Sequence, residues 1–164
     1  MNSIPIDKSN SCACGEYLVL GEMLRRGYDC YLANGPLQRG WDIVVLNEYG
    51  ANIKIQVKTI DWPDKNAING KLDTGFDILV IVLLQREEHH AKYVIASCKE
   101  IEPLLSVKST DPTTKRGKNG GKERTLNLGK SFETQEDKKC LKVDDAAWQH
   151  LQDLIATISM KTVC

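Results

Sequence analysis

The stretch GWDIVVLNEYGANIKIQVKT at residues 40–59 constrains the fold more than any other part of the chain. Two apolar runs flank a polar connection that contains a glycine, which predicts two antiparallel strands, roughly 41–47 and 53–59, joined by a turn. Three of the polar residues that interrupt these runs are Asp42, Gln56 and Lys58. A half-buried hairpin has no packing reason to carry these side chains, so their presence needs a chemical explanation.

The register of the hairpin decides whether the three polar side chains meet. Residues two apart in a strand point to the same face, so Gln56 and Lys58 lie together. If the turn pairs Leu46 with Asn52, Asp42 lies directly opposite Gln56. A shift of one residue would move Asp42 to the other face of the sheet. In the first register, a carboxylate, an amide and an ammonium share one face.

The whole sequence predicts a single α/β domain over residues 1–164, with an N-terminal helix followed by a mixed, largely antiparallel central sheet flanked by helices. Helical spacing predicts helices at 15–27, 99–105 and 144–160, and strand patterns occur at 28–33, 77–84 and 92–97. Residues 106–125 hold six basic and two acidic residues together with three glycines, which predicts a basic flexible loop. This loop is either a solvated connection or an arm that contacts phosphates.

Composition limits the cellular setting. The 22 basic and 22 acidic residues cancel, so overall charge neither favours nor excludes a nucleic-acid partner. No apolar run approaches the roughly 18 residues that a membrane helix needs, and no signal peptide is apparent. The six cysteines are therefore expected to be free thiols in the cytoplasm. A zinc site at Cys12 and Cys14 is the alternative, but no second pair follows at ligand spacing.

The hairpin trio suits metal-assisted phosphodiester hydrolysis. Mg²⁺, or Mn²⁺ in its place, prefers oxygen ligands, and Asp42, the side-chain carbonyl of Gln56 and the backbone carbonyl of Val57 could supply them. Lys58 would orient the attacking water or stabilise charge on the phosphate. The alternative is structural: Lys54 and Lys58 cover a solvated sheet face, and Asp42 hydrogen-bonds the loop at the start of its strand.

A second carboxylate is expected to help neutralise the ion, and the first predicted helix offers two. Glu16 stands at its start and Glu22 six residues later. Six residues correspond to a rotation of about 240° around a helix, so only one of the two can face the site. Either glutamate could instead be a solvated charge on the helix surface.

Glu16, the GWDIVV segment at 40–45 and the IQVKT segment at 55–59 together resemble the PD-(D/E)xK nuclease superfamily. The resemblance covers residues 15–59 and implies a restriction endonuclease-like core. It assigns Glu16 as the helix acid and Asp42 as the motif aspartate, with Gln56 and Lys58 at the Glu-x-Lys positions, and it favours Glu16 over Glu22. Gln56 in place of the usual carboxylate is similar to a branch of intron-encoded endonucleases.

This resemblance implies a magnesium-dependent DNA endonuclease. DNA contacts would come from Trp62 and from the basic loop, with these cations: Lys115, Arg116, Lys118, Lys122 and Arg124. Cutting both strands of a duplex would favour a homodimer, and a monomer that nicks one strand is the alternative.

Gln56 also leaves room for two other functions, because an amide brings no charge to a metal site and cannot act as a general base. One is a nuclease-fold protein without catalysis, which would bind DNA or protein as an immunity or regulatory factor. The other is an RNA or tRNA nuclease, since this fold also hosts such enzymes.

Overall fold

A computed structural model of the chain describes residues 8–33, 40–46, 52–108, 113, 123–129 and 141–162. The helices of these segments are α1 (Lys8–Arg25), α2 (Cys98–Ile101) and α3 (Asp144–Thr162), and 3₁₀ turns span Arg86–Glu88 and Glu102–Leu104. The strands are β1 (Cys30–Leu32), β2 (Ile43–Leu46), β3 (Asn52–Asp61), β4 (Ala67–Gly70), β5 (Ile78–Gln85), β6 (His90–Ser97), β7 (Arg124–Asn127) and β8 (Lys142–Val143). No helix in these segments is long and apolar enough to cross a lipid bilayer.

Six strands form the central sheet in the order β1-β2-β3-β5-β6-β8. Strands β3 and β5 run parallel, and every other pair in this sheet is antiparallel. Parallel neighbours need a crossover connection, which residues 62–77 provide. The predicted α/β class, with an N-terminal helix, a mixed central sheet and a C-terminal helix, is confirmed.

Of the two hairpin registers that the sequence leaves open, the structure has the one that groups the three polar side chains. Leu46 pairs with Asn52 and Ile43 with Ile55. One residue before β2, the backbone N–H of Asp42 donates to the carbonyl of Ile55 at 2.8 Å. Asp42 therefore lies beside Gln56, on the face that also carries Lys58.

Strand β5 forms the centre of the molecule because both of its faces are buried. Its continuous apolar sequence, ILVIVLLQ, is typical of a strand covered on both sides. On one face, Val80 and Val82 belong to a core that includes Val19 of α1 and Trp148 of α3. On the other face, alternate residues of β5 belong to a second core, which contains Leu79, Ile81, Leu72, Ile101, Leu126 and Leu128.

A second, two-stranded sheet was not predicted. Strands β4 and β7 pair antiparallel, with Ile68 opposite Leu126. The predicted flexible loop at 106–125 therefore extends too far, because Arg124 and Thr125 belong to β7. Each of these four-residue strands places a single large apolar side chain in the core, which is too short a pattern to distinguish from a polar loop.

Candidate active site

Two hydrogen-bond donors hold the carboxylate of Asp42, which lies just before β2. Its Oδ2 atom accepts hydrogen bonds from the backbone N–H of Val57 at 2.7 Å and from Nε2 of Gln56. Burial raises the pKa of Asp42, while the Val57 N–H, the charge of Lys58 and the Gln56 amide oppose that shift. The side chain is thus a desolvated carboxylate in a fixed orientation.

Gln56 is only 6% exposed, and its amide nitrogen donates hydrogen bonds to two oxygen atoms of the site. Its Nε2 atom donates to the backbone carbonyl of Val57 at 3.2 Å as well as to Asp42. The N–H₂ group therefore contacts two oxygen atoms, one of Asp42 and one of Val57, that could also bind a cation. Turning the amide by about 180° would present Oε1 toward the same point, because the two ends of an amide have nearly the same shape.

Glu16 of α1 completes this cluster, and Glu22 does not. Burial raises the pKa of Glu16, the negative charge of Asp42 raises it further, and Lys58 lowers it. Glu22 instead forms an ion pair with Arg25 at 2.8 Å and another with Arg26. The structure therefore separates the two glutamates as the helical rotation requires, with Glu16 beside Asp42 and Lys58.

Helix α1 approaches β3 very closely because residue 15 is glycine. A Cβ atom at Gly15 would lie 1.8 Å from Oγ1 of Thr59. The Thr59 side chain fills the space that a side chain at residue 15 would need, so the helix backbone at Gly15 packs directly against Thr59. The next residue along the helix is Glu16, and this contact sets its distance from the sheet.

The four catalytic residues predicted from the sequence line one cavity of about 450 Å³. They are Glu16, Asp42, Gln56 and Lys58. Three residues of β4 also line it: Ala67, Ile68 and Asn69. The cavity thus lies between the central sheet, the start of α1 and the second sheet.

A polar network beside the cavity was missed by sequence reasoning. Arg86 donates from Nε to Oδ1 of Asp61 at 2.5 Å and from Nη2 to Oγ of Ser11 at 2.8 Å. Lys65 approaches Asp61 at 3.0 Å. Although burial alone would raise the pKa of Asp61, the hydrogen bonds from Lys65 and Arg86 hold it below its usual value. The network joins the start of α1 to the ends of β3 and β5, and no local sequence pattern indicates it.

The oxygen atoms of the site are of the types that a hard divalent cation prefers. Within the described segments, no group of three or more His, Cys, Asp or Glu side chains could hold a metal ion. The proposed ligands instead combine two carboxylates, from Asp42 and Glu16, with two neutral carbonyls, from Gln56 and Val57. Such a set resembles the few protein ligands that Mg²⁺ takes while it keeps several waters.

Of the predicted DNA-contacting residues, Arg124 lies in the interior rather than on an exposed arm. It is 9% exposed, and its Nε atom donates to the carbonyl of Ser106 at 2.8 Å. Its Nη2 atom donates to the carbonyl of Glu102 at 3.3 Å, and Nη1 lies 3.7 Å from the carboxylate of Asp73. A buried guanidinium needs such partners, and they leave Arg124 holding the second sheet in place.

Trp62 follows β3 directly and is half-buried. Its backbone N–H donates to the carbonyl of Leu84 at 2.9 Å, and a cis peptide bond joins it to Pro63. The other four predicted contacts lie outside the described residues: Lys115, Arg116, Lys118 and Lys122.

Comparison with known proteins adds little to this picture. No protein-family model matches the chain, and no curated protein matches its sequence. Among solved structures, the chain is similar to a bacterial homing endonuclease, I-Ssp6803I, with 14% identity and a TM-score of 0.48. The match covers 71% of this chain and 86% of that one.

Proposed function

We propose that the protein is a metal-dependent DNA endonuclease of the PD-(D/E)xK type. One observation carries the proposal: Glu16, Asp42, Gln56 and Lys58, from α1, the start of β2 and β3, line the same cavity. The first three bring oxygen atoms and the fourth an ammonium group. An oxygen ligand set beside a fixed cation suits hydrolysis of a phosphodiester, whose charge must be stabilised as it is attacked.

The metal would be Mg²⁺ or Mn²⁺, held by Asp42 and Glu16 together with the carbonyl oxygens of Gln56 and Val57. A divalent cation there supplies an activated water and stabilises charge on the phosphate. Burial raises the pKa values of both carboxyl groups, and the negative charge of Asp42 raises that of Glu16 further. Two desolvated carboxylates that repel one another favour a cation between them.

Lys58 would position the reacting groups. Its ammonium is close enough for its charge to lower the pKa values of both Glu16 and Asp42. From the same face it can donate hydrogen bonds to a phosphate oxygen or to the attacking water. The lysines and arginine of residues 115–122 are candidates for phosphate contacts along the DNA backbone.

Plasmid cleavage tests this function directly. Wild-type protein is incubated with supercoiled plasmid and labelled duplex in Mg²⁺, Mn²⁺ or chelator, and compared with Asp42→Ala and Lys58→Ala. We expect metal-dependent cutting that falls by at least about 10²-fold in each variant, as when a group that stabilises transition-state charge is removed. Full activity in Lys58→Ala would contradict the assigned role.

Lys54→Ala is the matched control for Lys58→Ala. Lys54 lies on the same face of β3, but its ammonium is 4.6 Å from the centre of the Trp41 ring rather than in the cavity. Its removal should leave cleavage unchanged. A drop as large as that of Lys58→Ala would show that any loss of positive charge on this strand is harmful, and would remove the special role of Lys58.

The amide of Gln56 favours a second candidate function, a nuclease-fold protein that binds DNA or protein without cutting. Its N–H₂ group already satisfies Asp42 and the carbonyl of Val57, so these oxygens need no metal. Calorimetric titration with Mn²⁺ separates the two functions. Gln56→Glu should tighten Mn²⁺ binding if the metal site exists. Folded wild-type protein that binds duplex DNA but no Mn²⁺ would support the second function.

A further inference from the structure

Asp61, the last residue of β3, is a carboxylate with two cationic partners. Its Oδ1 atom accepts from Nε of Arg86 at 2.5 Å, and its Oδ2 atom accepts from Nζ of Lys65 at 3.0 Å. One positive charge balances one carboxylate, so these three side chains hold one cation more than their own carboxylate needs.

Of the two cations, Lys65 is the one that can leave. The Arg86 side chain is 33% exposed and also donates from Nη2 to Oγ of Ser11 at 2.8 Å, which ties it to the start of α1. The Lys65 side chain is 59% exposed. Because an exposed ion pair is weak, Lys65 can exchange Asp61 for another anion at little cost, and Arg86 still balances the carboxylate.

The backbone keeps Lys65 at the edge of the cavity that contains the predicted catalytic residues. Its N–H donates to the carbonyl of Asp61 at 2.8 Å, so residues 61–65 form one turn that folds back on the end of β3. Lys65, Asp61 and Lys58 all line this cavity. The ammonium of Lys65 is therefore available to an anion that occupies the cavity.

The two lysines of the cavity serve different places in it. Lys58 interacts electrostatically with Glu16 and Asp42, whereas Lys65 forms its ion pair with Asp61. Lys58 and Asp61 are three residues apart in β3, about 10 Å at the rise of an extended strand. Phosphates of one DNA strand follow each other at about 3.4 Å of helix axis, so Lys65 is placed for a different phosphate from the one at Lys58.

The charges on the other side of Asp61 are mainly negative. A second cavity of about 250 Å³ shares Asp61 with the first, and its lining includes Asp64, Glu87 and Glu88. These carboxylates repel a nucleic-acid backbone. A DNA strand that passes Lys58 should therefore stay on the side of the first cavity.

We propose that Lys65 binds a backbone phosphate of duplex DNA near the phosphodiester at Lys58, by exchanging its ion pair with Asp61 for the phosphate. This inference depends on the DNA endonuclease function proposed above. Arg86 stays on Asp61 during the exchange, so the carboxylate keeps a partner. A phosphate contact of this kind fixes the position of the strand over the cavity and carries no sequence information.

The salt dependence of DNA binding tests this inference without requiring cleavage. Fluorescence anisotropy measures the Kd of a labelled duplex of about 24 base pairs in Ca²⁺, at about 50 to 200 mM NaCl. Each phosphate contact contributes about 0.9 to the slope of log K against log salt, so Lys65→Ala should reduce the slope by about 0.9. Near 0.1 M salt the Kd should rise by about 3- to 8-fold. Lys65→Arg keeps the charge and should retain the wild-type slope.

Lys99→Ala is the matched control, because Lys99 is also an exposed lysine but lies at the other end of the central sheet. It stands two residues after Ser97, which pairs with the first residue of β5. Asp61 instead pairs with Leu84, near the end of that strand. Lys99→Ala removes the same charge far from the cavity, so the salt slope should stay at the wild-type value.

Asp61→Asn should change DNA binding in the opposite direction. The asparagine keeps an oxygen for the guanidinium of Arg86 but no longer competes with phosphate for the ammonium of Lys65. The Kd should fall by about 1.4- to 5-fold, which is the strength of an exposed ion pair. Combined with Lys65→Ala, the asparagine should bring little of this gain, because the cation that it frees is absent. Circular dichroism and thermal unfolding check that each variant is folded.

Three results would overturn the inference: an unchanged slope in Lys65→Ala, an equal fall in Lys65→Ala and Lys99→Ala, or no duplex binding by folded wild-type protein. If metal-dependent cutting that needs Asp42 persists beside an unchanged slope, the endonuclease function stands and only the role of Lys65 fails. If the slope falls in Lys65→Ala alone but no metal supports cutting, the phosphate contact stands and the endonuclease function fails.

Discussion

Two carboxyl groups in the cavity oppose folding at neutral pH. The pKa values of Asp42 and Glu16 are raised, chiefly by burial, so the folded state binds their protons more tightly than the unfolded chain does. Stability from this source is present below the unfolded pKa values of about 3.9 and 4.3, and is lost as pH rises through the folded values. The two charges that the proposed metal site needs therefore lower the stability of the folded state at neutral pH.

We predict that the double variant Asp42→Asn/Glu16→Gln is more stable than wild type near pH 7 and loses this advantage toward pH 4. The change removes the two desolvated charges, while the side-chain oxygen at position 42 can still accept from Val57. Urea unfolding in chelator between pH 4 and 7 measures the difference. The control is Asp64→Asn, an exposed carboxylate. Parallel stability curves for wild type and the double variant would contradict the prediction.

The close contact between α1 and β3 gives a prediction for a whole element. Gly15→Ala places a methyl group 1.8 Å from Oγ1 and 3.0 Å from Cβ of Thr59, so the packing of the helix against this side chain must change. We expect a loss of about 1–3 kcal/mol in the free energy of unfolding, together with weaker Mn²⁺ binding because Glu16 moves with the helix. Urea unfolding and calorimetric titration measure the two effects.

Gly21→Ala is the matched control on the same helix. A Cβ atom at Gly21 would meet nothing within 4 Å, so alanine should stabilise the protein by about 0.5–1 kcal/mol through its higher helix propensity. Equal effects at the two glycines, in either direction, would show that the contact with Thr59 does not set the position of α1.

Arg124 gives a second prediction at the level of elements, because its guanidinium joins β7 to the turn around Ser106. Arg124→Leu would leave the carbonyl of Ser106 without this donor and would remove the guanidinium hydrogen bond to the carbonyl of Glu102, which keeps only the backbone N–H of Leu105, so we expect the free energy of unfolding to fall by about 2–4 kcal/mol. Lys108→Ala is the control, since Lys108 is exposed and contacts the same Asp73, and it should cost less than about 1 kcal/mol. If Arg124→Leu is as stable as wild type but binds DNA more weakly, the structural role is wrong and Arg124 contacts phosphate as the sequence predicted.

Across the whole molecule, features set by neighbouring residues could be predicted and features set by distant contacts could not. Alternation along one strand places Gln56 and Lys58 on the same face, whereas the position of Asp42 depended on which of two registers the turn allows, and the observed register adds it to them. The contact of Gly15 with Thr59 and the pair of Arg86 with Asp61 depend on how separate elements pack. Strand β7 pairs with β4 far along the chain, and its four residues show too little periodicity to be distinguished from a loop.

Metal binding should stabilise the whole molecule, because the proposed ligands come from α1, the start of β2 and β3. Only the folded chain brings them together, so a bound cation adds RT ln(1 + [L]/Kd) to the free energy of unfolding, about 2.7 kcal/mol at 100 times Kd. We predict that Mn²⁺ raises the midpoint of thermal unfolding of wild type and has little effect on Asp42→Ala. Gln56→Glu, with a third carboxylate, should gain more than wild type at the same Mn²⁺ concentration. An equal rise in wild type and Asp42→Ala would place the bound ion elsewhere, and unchanged midpoints in both would favour the non-catalytic function.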